Sequence, residues 1–208
     1  MKPKPISTAV IVAAGKGKRM GTEISKQFLP LCGKEILAHT VEKFEKTADI
    51  RDIILVTGKD ALQDVRSMVQ EYDWKKIIAV TEGGRERQDS VYLGLQKVPQ
   101  DAEIVLIHDG VRPFVTEEML RESIMTAVKR GGCVVGVPAK DTIKVCNAAG
   151  LAIATPDRNT LWQIQTPQTF RREEILSAYA AAKADGFIGT DDASVAEHSG
   201  FPVQVIMG

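Results

Sequence analysis

Residues 13–26 hold the densest chemistry in the chain: Ala13-Ala14-Gly15-Lys16-Gly17-Lys18-Arg19-Met20-Gly21, running on to Lys26. Gly15, Gly17 and Gly21 let bare backbone amides approach a ligand, and Lys16, Lys18, Arg19 and Lys26 outnumber the one carboxylate, Glu23. That composition suits a polyanion, most simply the phosphates of a nucleotide; a solvated glycine-rich turn is the competing reading. Spacing excludes two familiar phosphate loops. No Gly-Lys-Ser or Gly-Lys-Thr follows the gap a P-loop requires, and the third glycine of a dinucleotide fingerprint, counted from Gly17, falls on Met20.

A second group comprises Gly83-Gly84, Ser90 in Arg87-Gln-Asp-Ser-Val91, and His108-Asp109-Gly110-Val111-Arg112. A carboxylate such as Asp109 at a strand end beside phosphates suits Mg²⁺; otherwise it caps a turn before Pro113. Arg112 offers forked donors to a second phosphate, or else makes a surface ion pair. The Ser90 hydroxyl reaches a base or phosphate, or simply opens a helix. His39, His108 and His198 lack metal spacing, Cys32, Cys133 and Cys146 lack a C-x-x-C pair, and no G-x-S-x-G elbow is present. These residues form a phosphate and metal set, not a hydrolytic triad or a zinc site.

The elements that must position them follow from periodicity. Ala9-Val10-Ile11-Val12 reads as a buried strand, as do 52–58, 76–80, 103–109 and 133–138. Between them lie helical stripes: 34–47 with Leu37, Val41, Phe44 and Ala48, 60–72 capped by Asp60 with Gln63 reaching back, 85–98, and a helix opened by Thr116 with Glu117 and Glu118 in its first turn. Alternating strands and helices predict a doubly wound, mostly parallel α/β sheet whose carboxyl-end rim gathers the glycines, cations and Asp109. The rhythm changes at Thr142, where 142–146 and 151–155 read as two strands joined by a turn. A lone ribbon is marginal in water, so this arm, about 140–158, is expected to make a homodimer contact. The chain returns through 162–170, a helix over 171–185 and a strand over 202–206.

The 208 residues fit one domain with this excursion, and 44% hydrophobic with 26% charged residues is ordinary for a globular chain. Lys+Arg and Asp+Glu both total 27, which gives no push toward nucleic acid or membrane. The N-terminus lacks the apolar core of a signal peptide, and no apolar run approaches the ~20 residues of a membrane span; a cytoplasmic location is expected.

Seven segments in register resemble the 2-C-methyl-D-erythritol 4-phosphate cytidylyltransferase family. They are Ala-Ala-Gly-x-Gly-x-Arg-Met at 13–20, Lys26-Gln27-Phe28, Gly83-Gly84-x-x-Arg87-Gln-Asp-Ser90-Val, His108-Asp-x-x-Arg112-Pro113, Asp141-Thr142-Ile-Lys144, Thr166-Pro-Gln168-x-Phe170 and Thr190-Asp-Asp-Ala-Ser194. The resemblance implies a Rossmann-like nucleotidyltransferase sheet with a protruding β-arm, and transfer of CMP from CTP to the polyol phosphate with Mg²⁺. It implies that Ala13, Ala14, Gly15, Gly83, Gly84 and Ser90 line the CTP site and that Arg19 and Lys26 hold the triphosphate. Asp109, Arg112, Thr166 and Thr190 would serve the second substrate, Asp109 also the metal. Thr142 and the catalytic Arg158 would reach into the partner subunit's site.

Two departures from the family pattern are Arg85, at a position often smaller or acidic, and the end at Met207-Gly208, where relatives run on through an active-site lysine and a last helix. A ribitol 5-phosphate cytidylyltransferase shares most of these motifs, though the segments at 162–165 and 190–194 favour the methylerythritol enzyme. A nucleotide-binding regulatory protein without turnover is the reading from another class.

Overall fold

Ser7–Ala13 (β1) is buried on both faces, with Ala9, Ile11 and Ala13 in one apolar cluster and Val10 in the other. Such two-sided burial is what a near-continuous apolar run encodes in a parallel sheet. The computed structural model describes residues 4–15 and 25–208; Arg19 and the rest of the glycine-rich loop, 16–24, lie outside the described residues. The chain re-enters through a 3₁₀ turn, Lys26–Phe28, and a small hairpin, Pro30–Leu31 (β2) and Lys34–Glu35 (β3). There follow Ile36–Lys46 (α1), Asp52–Thr57 (β4), Leu62–Glu71 (α2), Ile77–Glu82 (β5), Arg87–Leu95 (α3), Ile104–Asp109 (β6), Glu117–Arg130 (α4) and Gly132–Pro138 (β7). After the short strands Val145–Cys146 (β8) and Ala152–Ala154 (β9) come Trp162–Arg171 (β10), Arg172–Asp185 (α5), Asp192–His198 (α6) and Val203–Met207 (β11).

The main sheet runs β11-β7-β10-β6-β1-β4-β5. β1 pairs in parallel with β4 and β6, β4 with β5, and β7 with β11; β10 alone runs antiparallel, between β6 and β7. Helices α1, α2 and α4 cover one face, through Leu37, Val41, Phe44, Val65, Leu120 and Ile124. Helices α3, α5 and α6 cover the other, through Val91, Leu95, Ile175, Tyr179 and Val195. This is the doubly wound, mostly parallel α/β fold expected. Helix α3 lies close enough that a Cβ on Gly94 would meet Val10 at 2.6 Å and Val56 at 2.8 Å. α4 is capped as its sequence predicts: the Thr116 hydroxyl accepts from the Met119 N–H at 3.1 Å, and Gly131 ends the helix at φ 97°.

Several expectations change. Asp60 does not cap α2; it sits inside a 3₁₀ turn, Lys59–Ala61, and the helix starts behind Ala61 without a side-chain cap. Lys34 belongs to the β2–β3 hairpin, not to α1, and Ala48 is exposed beyond the helix while Thr47 takes the buried position. The helix expected over 85–98 is shorter, because Arg85 and Glu86 are spent turning the chain from Gly84 into α3. Residues 162–170, read only as a return, form the antiparallel strand β10, with a register shift between Ile164 and Gln168. Among the described residues no helix is long and apolar enough to cross a membrane.

Among the described residues the ribbon β8–β9 pairs only with itself, as a separate two-stranded sheet. Its apolar side chains Leu151 and Ile153 are 67% and 63% exposed.

Candidate active site at the strand-end rim

The carboxyl ends of β1, β5 and β6 open onto one cavity of about 450 Å³. Ala13, Ala14, Gly15 and Lys26 line one side of it, Gly84, Glu86 and Ser90 another, and Asp109 and Val111 a third. Local hydrogen bonds explain why these segments converge. Buried Gln27 donates from Nε2 to the Ala13 carbonyl at 2.7 Å, bringing the chain after the glycine-rich loop back against the end of β1. The Gly83 N–H extends the β4 ladder to the Thr57 carbonyl at 2.8 Å. The next turn is so tight that a Cβ on Gly83 would meet Ala14 at 2.6 Å and the Ser90 hydroxyl at 2.7 Å, and one on Gly84 would collide with Asp89. Ser90 holds that turn: its hydroxyl accepts from the Gly84 N–H at 3.1 Å and donates to the Glu86 carbonyl at 3.0 Å. Of its two expected roles, the structural one is therefore occupied.

Asp109 is gripped from two sides. Arg87 Nε reaches Oδ1 at 3.1 Å and Arg112 Nε reaches Oδ2 at 2.9 Å. Burial opposes ionisation of Asp109, but the Arg87 and then the Arg112 guanidinium outweigh it and hold the carboxyl below its usual range. Arg87 is anchored in turn by a bidentate pair with fully buried Asp192, at 3.1 and 2.8 Å. Burial works against the Arg87 charge, yet Asp192 and then Asp109 raise its pKa. The Tyr179 hydroxyl donates to Asp192 Oδ1 at 2.5 Å, and burial followed by the Asp192 charge raises its pKa well above the ordinary value. This chain ties the α5–α6 pair to the rim.

Val111 is shared with a neighbouring cavity of about 340 Å³, lined by His108, Arg112, Phe114, Gln165 and Thr166 among others. Thr190 is exposed and lines neither cavity; it precedes Asp191, whose carboxylate caps α6 on the Ser194 N–H at 2.8 Å and accepts from Gln168 Nε2 at 2.9 Å. Thr142 and Arg158 are exposed on or beside the arm, where Arg158 donates to the Lys140 carbonyl at 3.1 Å; neither lines these cavities. The structure thus gathers Ala13, Ala14, Gly15, Lys26, Gly84, Ser90 and Asp109, sets Gly83 behind them and Arg112 and Thr166 next door, and keeps Thr142, Arg158 and Thr190 apart. The sequence reading passed over Gln27, Asp192 and Tyr179 as functional supports. Gln27 follows Lys26 directly, but the Arg87–Asp192 contact spans 105 positions and leaves no local signal.

One cavity edged by backbone amides, a lysine and an arginine-held carboxylate can bind an anionic ligand and set a second one beside it. A donor set for a caged metal is lacking: both Asp109 oxygens face guanidinium groups, and among the described residues no three His, Cys, Asp or Glu cluster.

A family model described as IspD: 2-C-methyl-D-erythritol 4-phosphate cytidylyltransferase matches residues 7–208. The 2-C-methyl-D-erythritol 4-phosphate cytidylyltransferase of Alkaliphilus oremlandii is 46% identical over 203 residues, 97% of this chain and 86% of that protein. The protein of the same name from Geotalea uraniireducens is 47% identical over 204 residues, 97% and 87% of the two chains. Among solved structures, the 4-diphosphocytidyl-2C-methyl-D-erythritol synthase of Anaerococcus prevotii matches with a TM-score of 0.88 at 31% identity, over 99% of this chain and 88% of that one.

Proposed function

Because this chain belongs to the 2-C-methyl-D-erythritol 4-phosphate cytidylyltransferase family, we propose that it moves CMP from CTP to 2-C-methyl-D-erythritol 4-phosphate and releases pyrophosphate. The observation that carries this reading is the rim cavity, which joins Ala13–Gly15, Lys26 and Gly84 to Asp109 across a single opening. CTP lies along the end of β1 and the Gly83-Gly84 turn, where Gly15 and Gly84 border the cavity. Lys26, with Arg19 from the loop beyond the described residues, neutralises the triphosphate. The acceptor occupies the side of Asp109 and Arg112, over the neighbouring cavity that Thr166 lines; Thr190, which lines neither cavity, is assigned no contact.

An oxygen of the acceptor's phosphate forms a bond to the α-phosphorus of CTP while the bond from that phosphorus to the bridging oxygen breaks, and pyrophosphate leaves with the electron pair. The attacking oxygen is already anionic at neutral pH, so no general base is required. The protein's task is to bring two polyanions together and to stabilise charge at the α-phosphorus with preorganised cations. Both Asp109 oxygens are paired with guanidinium groups, so we assign Asp109 to orienting Arg112 and the acceptor, and no step to a metal.

The whole chain acts as one catalytic domain in the cytoplasm. Its exposed ribbon pairs two copies into a homodimer, carrying Thr142 and Arg158 to the partner's site, where Arg158 grips the acceptor's phosphate. Support for the pairing comes from Leu151 and Ile153, apolar side chains left exposed on an arm whose strands, among the described residues, pair with each other alone.

Pyrophosphate release from CTP, with methylerythritol phosphate or ribitol 5-phosphate as acceptor, tests this function. Release with the first well above release with the second is expected. Preference for ribitol phosphate, or no release with either, would overturn it.

A further inference from the structure

His108 is fully buried at the end of β6, one residue before the carboxylate that lines the rim cavity. Its ring packs against Phe44 from α1, centroids 4.9 Å apart, behind the cavity that Arg112 and Thr166 also line. Both ring nitrogens are engaged: Nε2 lies 3.1 Å from the Arg112 carbonyl and Nδ1 lies 2.9 Å from the Thr166 hydroxyl. That hydroxyl is also 3.2 Å from the backbone nitrogen of Asp109.

Elementary hydrogen-bond chemistry fixes the direction of every bond. A carbonyl only accepts, so Nε2 carries the proton and donates to Arg112. In the neutral ring Nδ1 is then bare and accepts from the Thr166 hydroxyl. Having given its proton away, the Thr166 oxygen accepts from the Asp109 N–H. Burial supports the neutral form by pushing the His108 pKa down to about 4. The relay runs one way, from Asp109 through Thr166 and His108 to Arg112, and closes a ring around the turn that carries both charged side chains. Two further bonds brace that turn: Thr40 donates to the Gly110 carbonyl at 2.9 Å, and the Gly110 N–H donates to the Val12 carbonyl at 2.8 Å.

We propose that His108 and Thr166 are positioning residues, whose relay sets the Asp109–Arg112 turn so that carboxylate and guanidinium meet the acceptor substrate together. This rests on the function proposed above. It also gives Thr166 a different task from the substrate contact its place in the family's motif implies: the hydroxyl's proton and one lone pair are already committed within the protein.

The test compares Thr166→Val, Thr166→Ser, His108→Phe and the Thr166→Val/His108→Phe double variant, with KM measured separately for CTP and for methylerythritol phosphate. Thermal unfolding of each variant confirms that it is folded. Expected is a rise of about tenfold in the acceptor KM for each hydrogen-bond-deleting single variant, with the CTP KM within about threefold, the order of change for losing one or two buried hydrogen bonds. The double variant should be no worse than its worse parent, because both break the same relay, and Thr166→Ser should bring the acceptor KM back toward the parent's. A normal acceptor KM in His108→Phe, beside a raised one in Thr166→Val, would overturn the proposal by making Thr166 a direct substrate contact; multiplying effects in the double variant would overturn it as well. Should the unaltered chain release no pyrophosphate, the functional reading fails while the relay is still tested by imidazole ¹⁵N chemical shifts at pH 7. A protonated Nε2 with a bare Nδ1, altered in Thr166→Val, supports the relay, and the opposite tautomer contradicts it.

Discussion

Lys26 stands exposed on the first residue of a 3₁₀ turn and still lines the rim cavity, because its neighbour Gln27 is pinned beneath it on the Ala13 carbonyl. Replacing the lysine removes charge without removing that anchor. Lys26→Ala is expected to lower kcat by roughly 10²–10³, the scale for losing one preorganised donor, with an unchanged Tm. Steady-state pyrophosphate release beside thermal unfolding checks this, and near-parental turnover would strip Lys26 of its role. His108 makes a different prediction. Its folded pKa of about 4 lies below the reference 6.5, so between these values the unfolded chain binds more protons than the native one. Stability from the neutral imidazole is intact above the unfolded value and is lost as pH falls toward 4, by at most about 3 kcal/mol. Asp109, Arg112 and Arg87 are the charged groups around it, and Phe44 packs on its ring. Urea denaturation at pH 7 and pH 4.5 should show the stability gap between the parent and His108→Phe narrowing at the lower pH; a constant gap would contradict a neutral buried ring.

At the scale of elements, what the sequence made legible was what is buried on both faces. β1, β4, β6 and β7 are apolar runs because helices cover them above and below, and their order with the intervening stripes is enough to place a glycine-rich turn and Asp109 on one rim. β10 was hidden because three of its five buried residues are polar. Thr166, Gln168 and Thr169 enter the core only because each has a partner there: His108, Asp191 and Ser123. No periodicity announces such a strand, since partners 58, 23 and 46 positions away decide its fate. Asp60 failed as a cap for a local reason, the 3₁₀ turn that set the helix start beyond its reach. The arm was visible as a change of rhythm, and its exposure carries a prediction. Leu151→Asp combined with Ile153→Asp should convert a dimer to a monomer in sedimentation equilibrium, because both side chains are exposed in a single copy and add nothing to its own core. A dimer that survives the pair of changes would move the interface elsewhere.

Across the whole molecule, the sheet works as a bench whose two helical layers meet the same rim. From one face, Thr40 on α1 holds the Gly110 carbonyl; from the other, Tyr179 on α5 and Asp192 on α6 hold Arg87, which reaches Asp109. Asp109 is thereby held from both faces of the sheet before any ligand arrives. Preorganisation of this kind is what a transfer between two repelling anions needs. Whether this rim takes the triphosphate is read by backbone NMR of the chain titrated with CTP. Shifts concentrated at the amides of Ala14, Gly15, Lys26, Gly84 and Ser90 are predicted. Shifts centred on the arm or on the outer edge of β5, with those five amides unmoved, would contradict it.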